Sequence, residues 1–99
     1  VGRMAAADVV EVPLSITLTP NPLADGQLRA VVRGAGGELL SVELVDSRGN
    51  VIRSQTWPVA DADQRIEWDV TARPSGVYLL RATQPGTNRQ TQTVKVVKP

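Results

Sequence analysis

The chain has 99 residues, with 11 Lys plus Arg against 10 Asp plus Glu, and it contains no Cys, His or Phe. Its length fits one domain with a single modest core. The missing residue types exclude disulfides, thiolate and imidazole catalysis and the usual zinc ligand sets. A formal net charge of +1 gives no field that would attract nucleic acid or an anionic membrane. No stretch approaches the roughly 20 apolar residues of a membrane helix, so membrane insertion is not expected either.

Strand signals dominate from residue 14 onward, whereas residues 1–12 have no periodicity and are interpreted as a linker or boundary segment before a domain at 13–99. The first run, residues 14–19, alternates apolar residues with Ser and Thr, which predicts a half-buried strand. The prolines at 20 and 22 end it. Further Val-, Ile- and Thr-rich runs lie at residues 27–33, 39–46, 51–57, 64–70, 77–83 and 90–97.

Seven short strands with Gly, Pro, Asn and Asp between them predict an all-β fold, a seven-stranded antiparallel immunoglobulin-like sandwich. Asp46 and Gly49 mark a tight hairpin between the third and fourth strands. The strand at 77–83 is apolar in both alternating sets, so we expect it to be central and covered on both faces. Residues 38–46 would also suit a helix, which stays open as the alternative there.

Three aromatic residues must supply most of the large-residue packing. Trp68 is expected in the core together with Ile66 and Val70, because this set alternates with charged residues. Trp57 stands beside Pro58, and two interpretations stay open for it. It is either buried or exposed on a surface that binds sugar.

No constellation of side chains indicates catalysis, a cofactor or a metal. Asp61, Asp63, Glu67 and Asp69 match no established calcium-loop spacing and are interpreted as solvated turn and strand residues. The glycines at 34–37 lack the Lys-Ser/Thr and the helix of a phosphate loop. The two lysines lie at positions 95 and 98, and no serine stands in a motif that would pair it with either of them as a nucleophile. We therefore expect a protein that is not an enzyme.

The run at residues 91–99 is the most unusual segment. As an ordinary last strand, it would use Lys95 to guard a sheet edge against aggregation. As a strand at the very end of a protein, it would offer a receptor either an edge or a terminal carboxylate. The residues alone leave both interpretations open.

Four landmarks follow one another along the chain. They are Pro20-Asn21-Pro22, the hairpin around Asp46 and Gly49, Pro74-Ser75-Gly76-Val77-Tyr78, and Val94-Lys95-Val96-Val97-Lys98. In this order they resemble the C-terminal sorting domain (type A) of proteins secreted by the type IX secretion system of Bacteroidetes. The resemblance covers about residues 14–99 and depends on the order, because each landmark alone is weak.

The resemblance implies an address label at the C-terminal end of a larger exported protein. Type IX machinery at the outer membrane would recognise the domain and pass the attached cargo from the periplasm to the cell surface or the medium. The domain is commonly cleaved off afterwards, here in the linker before Leu14. The residues implied for recognition are Lys95, Val96, Val97, Lys98 and Pro99.

The remaining landmark residues are interpreted as mainly structural, since Gly76 suits a turn and Tyr78 suits a core anchor with a hydrogen-bonded hydroxyl. Asn50, Val51 and Pro99 depart from the common family pattern, which leaves the receptor-facing residues undecided. The structural set is Pro20, Asn21, Pro22, Asp46, Gly49, Gly76, Val77 and Tyr78.

The rival interpretation is a passive immunoglobulin-like accessory module of an exported multidomain protein. Such a module would bind sugar through Trp57 or serve as a spacer, like the flagellar hook-capping immunoglobulin-like domains that share the Gly-Val-Tyr strand. A spacer should tolerate sequence after Lys98, whereas a sorting signal should not.

Overall fold

Alternation of apolar and polar side chains produces a sandwich of two antiparallel sheets in the computed structural model, which describes residues 13–21, 23–85 and 89–99. The all-β prediction is confirmed. The strands are β1 Ser15–Leu18, β2 Gln27–Arg33, β3 Leu40–Val45, β4 Val51–Trp57, β5 Asp63–Asp69, β6 Gly76–Gln84 and β7 Gln90–Lys98.

One sheet has the strand order β1-β2-β5 and the other has the order β4-β3-β6-β7. Their inner faces enclose the core, in which Trp68 is 2% exposed and packs with Ile66 and Val70, as predicted. The Trp68 indole N–H donates to Gln55 Oε1 at 3.1 Å, and the Arg53 guanidinium lies 5.3 Å from the ring centroid. Burial of a polar indole is thus compensated by a hydrogen bond.

The structure bears on two local alternatives that the sequence left open. The segment that also suited a helix is strand β3, and its alternate residues Leu40, Val42 and Leu44 are fully buried against the other sheet. Trp57 is half-buried and packs against the core.

The expectation for the strand at 77–83 is only half right. β6 is central in its sheet, between β3 and β7, but only its inner face is covered. Val77 is 44% exposed and Leu79 is 42% exposed on the outer face. Two apolar sets in one strand do not require two packed layers, because a second set can lie at the surface.

Some predictions fall outside the described residues. The linker at 1–12, Pro22 and residues 86–88 between the last two predicted strands belong to this group. The hairpin at residues 46–50 is described and is confirmed: Asp46 N–H donates to Asn50 O at 2.9 Å, and Gly49 has φ of 90°.

Candidate functional site

The segment Lys95–Pro99 that the resemblance singles out contains the last four residues of β7, an edge strand paired with β6, and Pro99 after it. Its side chains alternate between the two faces of the sheet. Val96 pairs with Tyr78 and is buried in the core, whereas Lys95 is exposed opposite Leu79. Val96 alone of the five residues therefore belongs to the core, whereas Lys95 and Pro99 are exposed and the other two are half-buried.

The outer edge of β7 is covered at this point by the chain that leaves β1. The Asn21 side chain donates from Nδ2 to Lys95 O at 2.9 Å and accepts from Val97 N–H at 3.1 Å. Leu23 N–H then donates to Val97 O at 2.9 Å. The Asn21 side-chain amide thus makes the hydrogen bonds that a residue of a neighbouring strand would make. It satisfies backbone groups of the β7 edge that would otherwise be a template for pairing with another strand.

The end of β7 is held by the loop that precedes β6. The Lys98 ammonium donates to the carbonyl oxygens of Arg73 and, at 3.4 Å, Thr71. Ser75 Oγ donates to Pro99 O at 2.7 Å. These contacts bind residues more than 20 positions apart and fix the direction in which β7 ends.

The Gly-Val-Tyr landmark begins β6 immediately beside this end. Gly76 pairs with Lys98 and has φ of 148°, a conformation that L side chains rarely adopt. Tyr78 is buried, and its hydroxyl donates to Pro74 O at 2.5 Å. Val77 points to the outer face, opposite Val97. One landmark therefore supplies a turn, an exposed apolar residue and a core residue in succession.

The hairpin landmark completes the same end of the sandwich. The N–H groups of Asn50 and Arg48 donate to Asp46 Oδ1, each at 2.9 Å, and hold the pKa of that carboxyl below its ordinary value. A groove of about 380 Å³ lies between the hairpin and the residues from Arg73 to Tyr78. The groove is lined by both landmarks, although about 30 residues separate them in the sequence.

The structure thus brings together three widely spaced landmarks, represented by Asn21, Gly76 and Lys95, with the hairpin at the same end. Sequence reasoning missed Ser75 as a contact of Pro99, and it missed the carbonyl oxygens that bind Lys98. The first had no signal in the sequence, because a turn serine commonly bonds backbone close to it in the sequence, whereas Pro99 lies 24 residues away. The second had none, because a carbonyl oxygen is present in every residue.

The acidic residues considered as ligands do not converge. Asp63 pairs with Arg33 at 3.0 Å, and Asp69 accepts from Thr71 N–H and Oγ1. No group of three or more His, Cys, Asp or Glu side chains suited to a metal occurs among the residues that the structure describes. In the same part of the chain, no helix has the length and apolarity needed to cross a membrane.

The sequence of the chain matches that of a known protein family. A family model described as the secretion system C-terminal sorting domain matches residues 17–98, and no curated protein matches the chain. This family consists of type IX secretion signals rather than enzymes, and it implies interaction with the secretion machinery and export to the cell surface or beyond. The chain belongs to the family of type IX secretion system C-terminal sorting domains.

Proposed function

We propose that this domain directs a cargo protein, attached at its N-terminal side, across the outer membrane through the type IX secretion machinery. The observation that carries the proposal is the convergence of the landmarks on the end of β7. The Asn21 side chain makes two hydrogen bonds to residues 95–99 and the Ser75 hydroxyl makes one. Tyr78 pairs with Val96 across the strands, and its hydroxyl donates to Pro74 O in the loop before β6. A spacer would need a stable sandwich, but it would not need its last strand presented in a fixed direction.

Recognition is assigned to the segment Lys95, Val96, Val97, Lys98 and Pro99, and removal of the domain to the linker at residues 1–12. Within the segment the roles differ. Val96 and Lys98 hold the segment in place, because one is in the core and the other binds backbone oxygens. Lys95 is the charged side chain of the segment that faces outward.

The test fuses residues 1–99 to the C-terminal end of a periplasmically exported fluorescent reporter. The fusion is expressed in Bacteroidetes hosts with and without a working type IX system. We expect reporter at the surface or in the medium only where the system works. N-terminal sequencing of the released domain should place the cut before Leu14.

A folded fusion that stays in the periplasm of the competent host would contradict the sorting role and favour the passive accessory module. Deleting residues 95–99 is an unsuitable control, because it removes Val96 from the core. Lys95→Glu is better, with Arg65→Glu as its match, since Arg65 is exposed on the other sheet. Only Lys95→Glu should reduce export.

A further inference from the structure

The covered edge of β7 restricts how the recognition segment is contacted. In an antiparallel edge strand, alternate residues direct both backbone groups outward. For Val97 those groups are already bonded, to Asn21 and Leu23, and the outward oxygen of Lys95 is bonded to Asn21. Strand addition by a receptor at this position would have to displace all three hydrogen bonds.

Side chains on the outer face of the same sheet remain accessible. Beside Lys95, five aliphatic residues from four strands form what we call the outer patch. Cross-strand pairing joins Val51 to Val45, Val45 to Leu79, and Val77 to Val97. Its members are Val45, Val51, Val77, Leu79 and Val97.

Three of the five residues of the outer patch are exposed, Val97 is half-buried and Val45 is buried. Val51 is 49% exposed, and Val77 and Leu79 exceed 40%. Val45 is buried but does not belong to the core cluster, so its neighbours on the outer face cover it. A contiguous exposed aliphatic surface of this kind marks an interaction site more often than scattered apolar residues do.

Among the described residues, the outer face of the other sheet carries no comparable aliphatic surface. There, Arg29 pairs across the strands with Glu67, and Arg33 forms an ion pair with Asp63. Val31 is half-buried between Thr17 and Arg65. One outer face is built for water, and the other carries the outer patch.

Charge around the outer patch indicates what would cover it. On this face, Arg81 pairs with Glu43 at 2.8 Å. Lys95, directly opposite Leu79, forms no ion pair within the described ranges 13–21, 23–85 and 89–99. A partner that buried the outer patch would therefore need a carboxylate opposite Lys95.

We propose that the outer patch, with Lys95 at its margin, docks onto a protein surface of the secretion machinery that is apolar and carries a carboxylate. This inference rests on the proposed function and extends it, because contact is made by the sheet face and not by strand addition. Val77 of the Gly-Val-Tyr landmark and Lys95 of the recognition segment then belong to one contact surface.

The test uses the same full reporter fusion in the competent host. The double variant Val77→Ser/Leu79→Ser removes exposed aliphatic surface, and Leu39→Ser/Val59→Ser is the match, because those residues are 42% and 69% exposed outside the outer patch. We expect export to fall by about tenfold or more for the first pair and to stay unchanged for the second. Thermal unfolding of the purified fusions shows whether each variant is folded.

A photo-crosslinking residue placed at Leu79 gives a readout that is independent of stability. It should form a machinery-dependent adduct that Lys95→Glu weakens, whereas the same probe at Val59 should form none. Undiminished export of a folded Val77→Ser/Leu79→Ser fusion overturns the docking proposal and leaves the sorting role intact. A wild-type fusion that is not exported overturns both. A dimer seen by sedimentation and lost in the double variant would assign the outer patch to a second copy and also overturn the proposal.

Discussion

The two faces of β6 differ in what they contribute, although they alternate along one strand. Tyr78 and Leu80 point inward and are buried, while Val77 and Leu79 point outward and are more than 40% exposed. The inner residues hold the sandwich together. The outer residues are equally apolar, yet they contribute little to the stability of the fold. The Gly-Val-Tyr landmark therefore combines a residue that packs in the core with a residue that is free to contact a partner.

The largest effect is expected at the centre of the inner side, for Trp68→Ala. The indole is 2% exposed, and its removal leaves a cavity and an unpaired Gln55. The free energy of unfolding should fall by about 3–5 kcal/mol, enough to unfold a marginal domain. Chemical denaturation followed by circular dichroism measures it, and a loss below about 1 kcal/mol would mean that the inner face is not a packed core.

Adjacent leucines test the comparison within β6 itself. Leu80 is fully buried and Leu79 is 42% exposed. Leu80→Ala should cost about 2–5 kcal/mol in unfolding free energy, whereas Leu79→Ala should stay within about 0.5 kcal/mol of wild type. Export should show the reverse order among folded variants. Equal stability losses for the two variants would show that both faces are packed, and the comparison would fail.

A smaller effect is expected at the edge that closes β7. Asn21→Ala removes two hydrogen bonds to Lys95 and Val97, and we expect a loss of about 1–2 kcal/mol in unfolding free energy. Hydrogen exchange at the Val97 amide should accelerate, because its acceptor is gone. Thr93→Ala, at an exposed position of the same strand, is the control. An unchanged Val97 exchange rate would contradict the closed edge.

Much of the fold could be predicted because its signals are local. The hairpin follows from Asp46 and Gly49, which satisfy backbone groups within five residues. The inward set of β5 follows from strict alternation, since charged residues flank Ile66 and Trp68 on both sides. Local chemistry and global packing agree at these positions.

The site was predicted less well because it depends on tertiary placement. The outer set of β6, with Val77 and Leu79, was predicted to be covered by a second layer but is exposed, since composition cannot tell a buried apolar set from one at the surface. The closure of β7 by Asn21 could not be predicted either, because 74 residues separate Asn21 from Lys95. Contacts of that span follow from the topology of both sheets.

The smallest effect is expected at the hairpin of residues 46–50, which Val45 and Val51 of the outer patch flank. Amide donors from Asn50 and Arg48 lower the pKa of Asp46 below its ordinary value of 3.8. Stability from this carboxylate is therefore present above pH 3.8 and is lost as the pH falls through the lowered value. Asp46→Asn keeps an acceptor oxygen but not the charge.

Unfolding free energy should thus differ between wild type and Asp46→Asn at neutral pH, and the difference should disappear in acid. Asp61→Asn is the matched control, because Asp61 is likewise an aspartate outside the strands, and its side chain is exposed. A difference that persists in acid would mean that the hairpin depends on side-chain geometry and not on charge. Folded Asp46→Asn fusions should still be exported, because Asp46 does not belong to the outer patch. Its hairpin only joins the strands that carry Val45 and Val51.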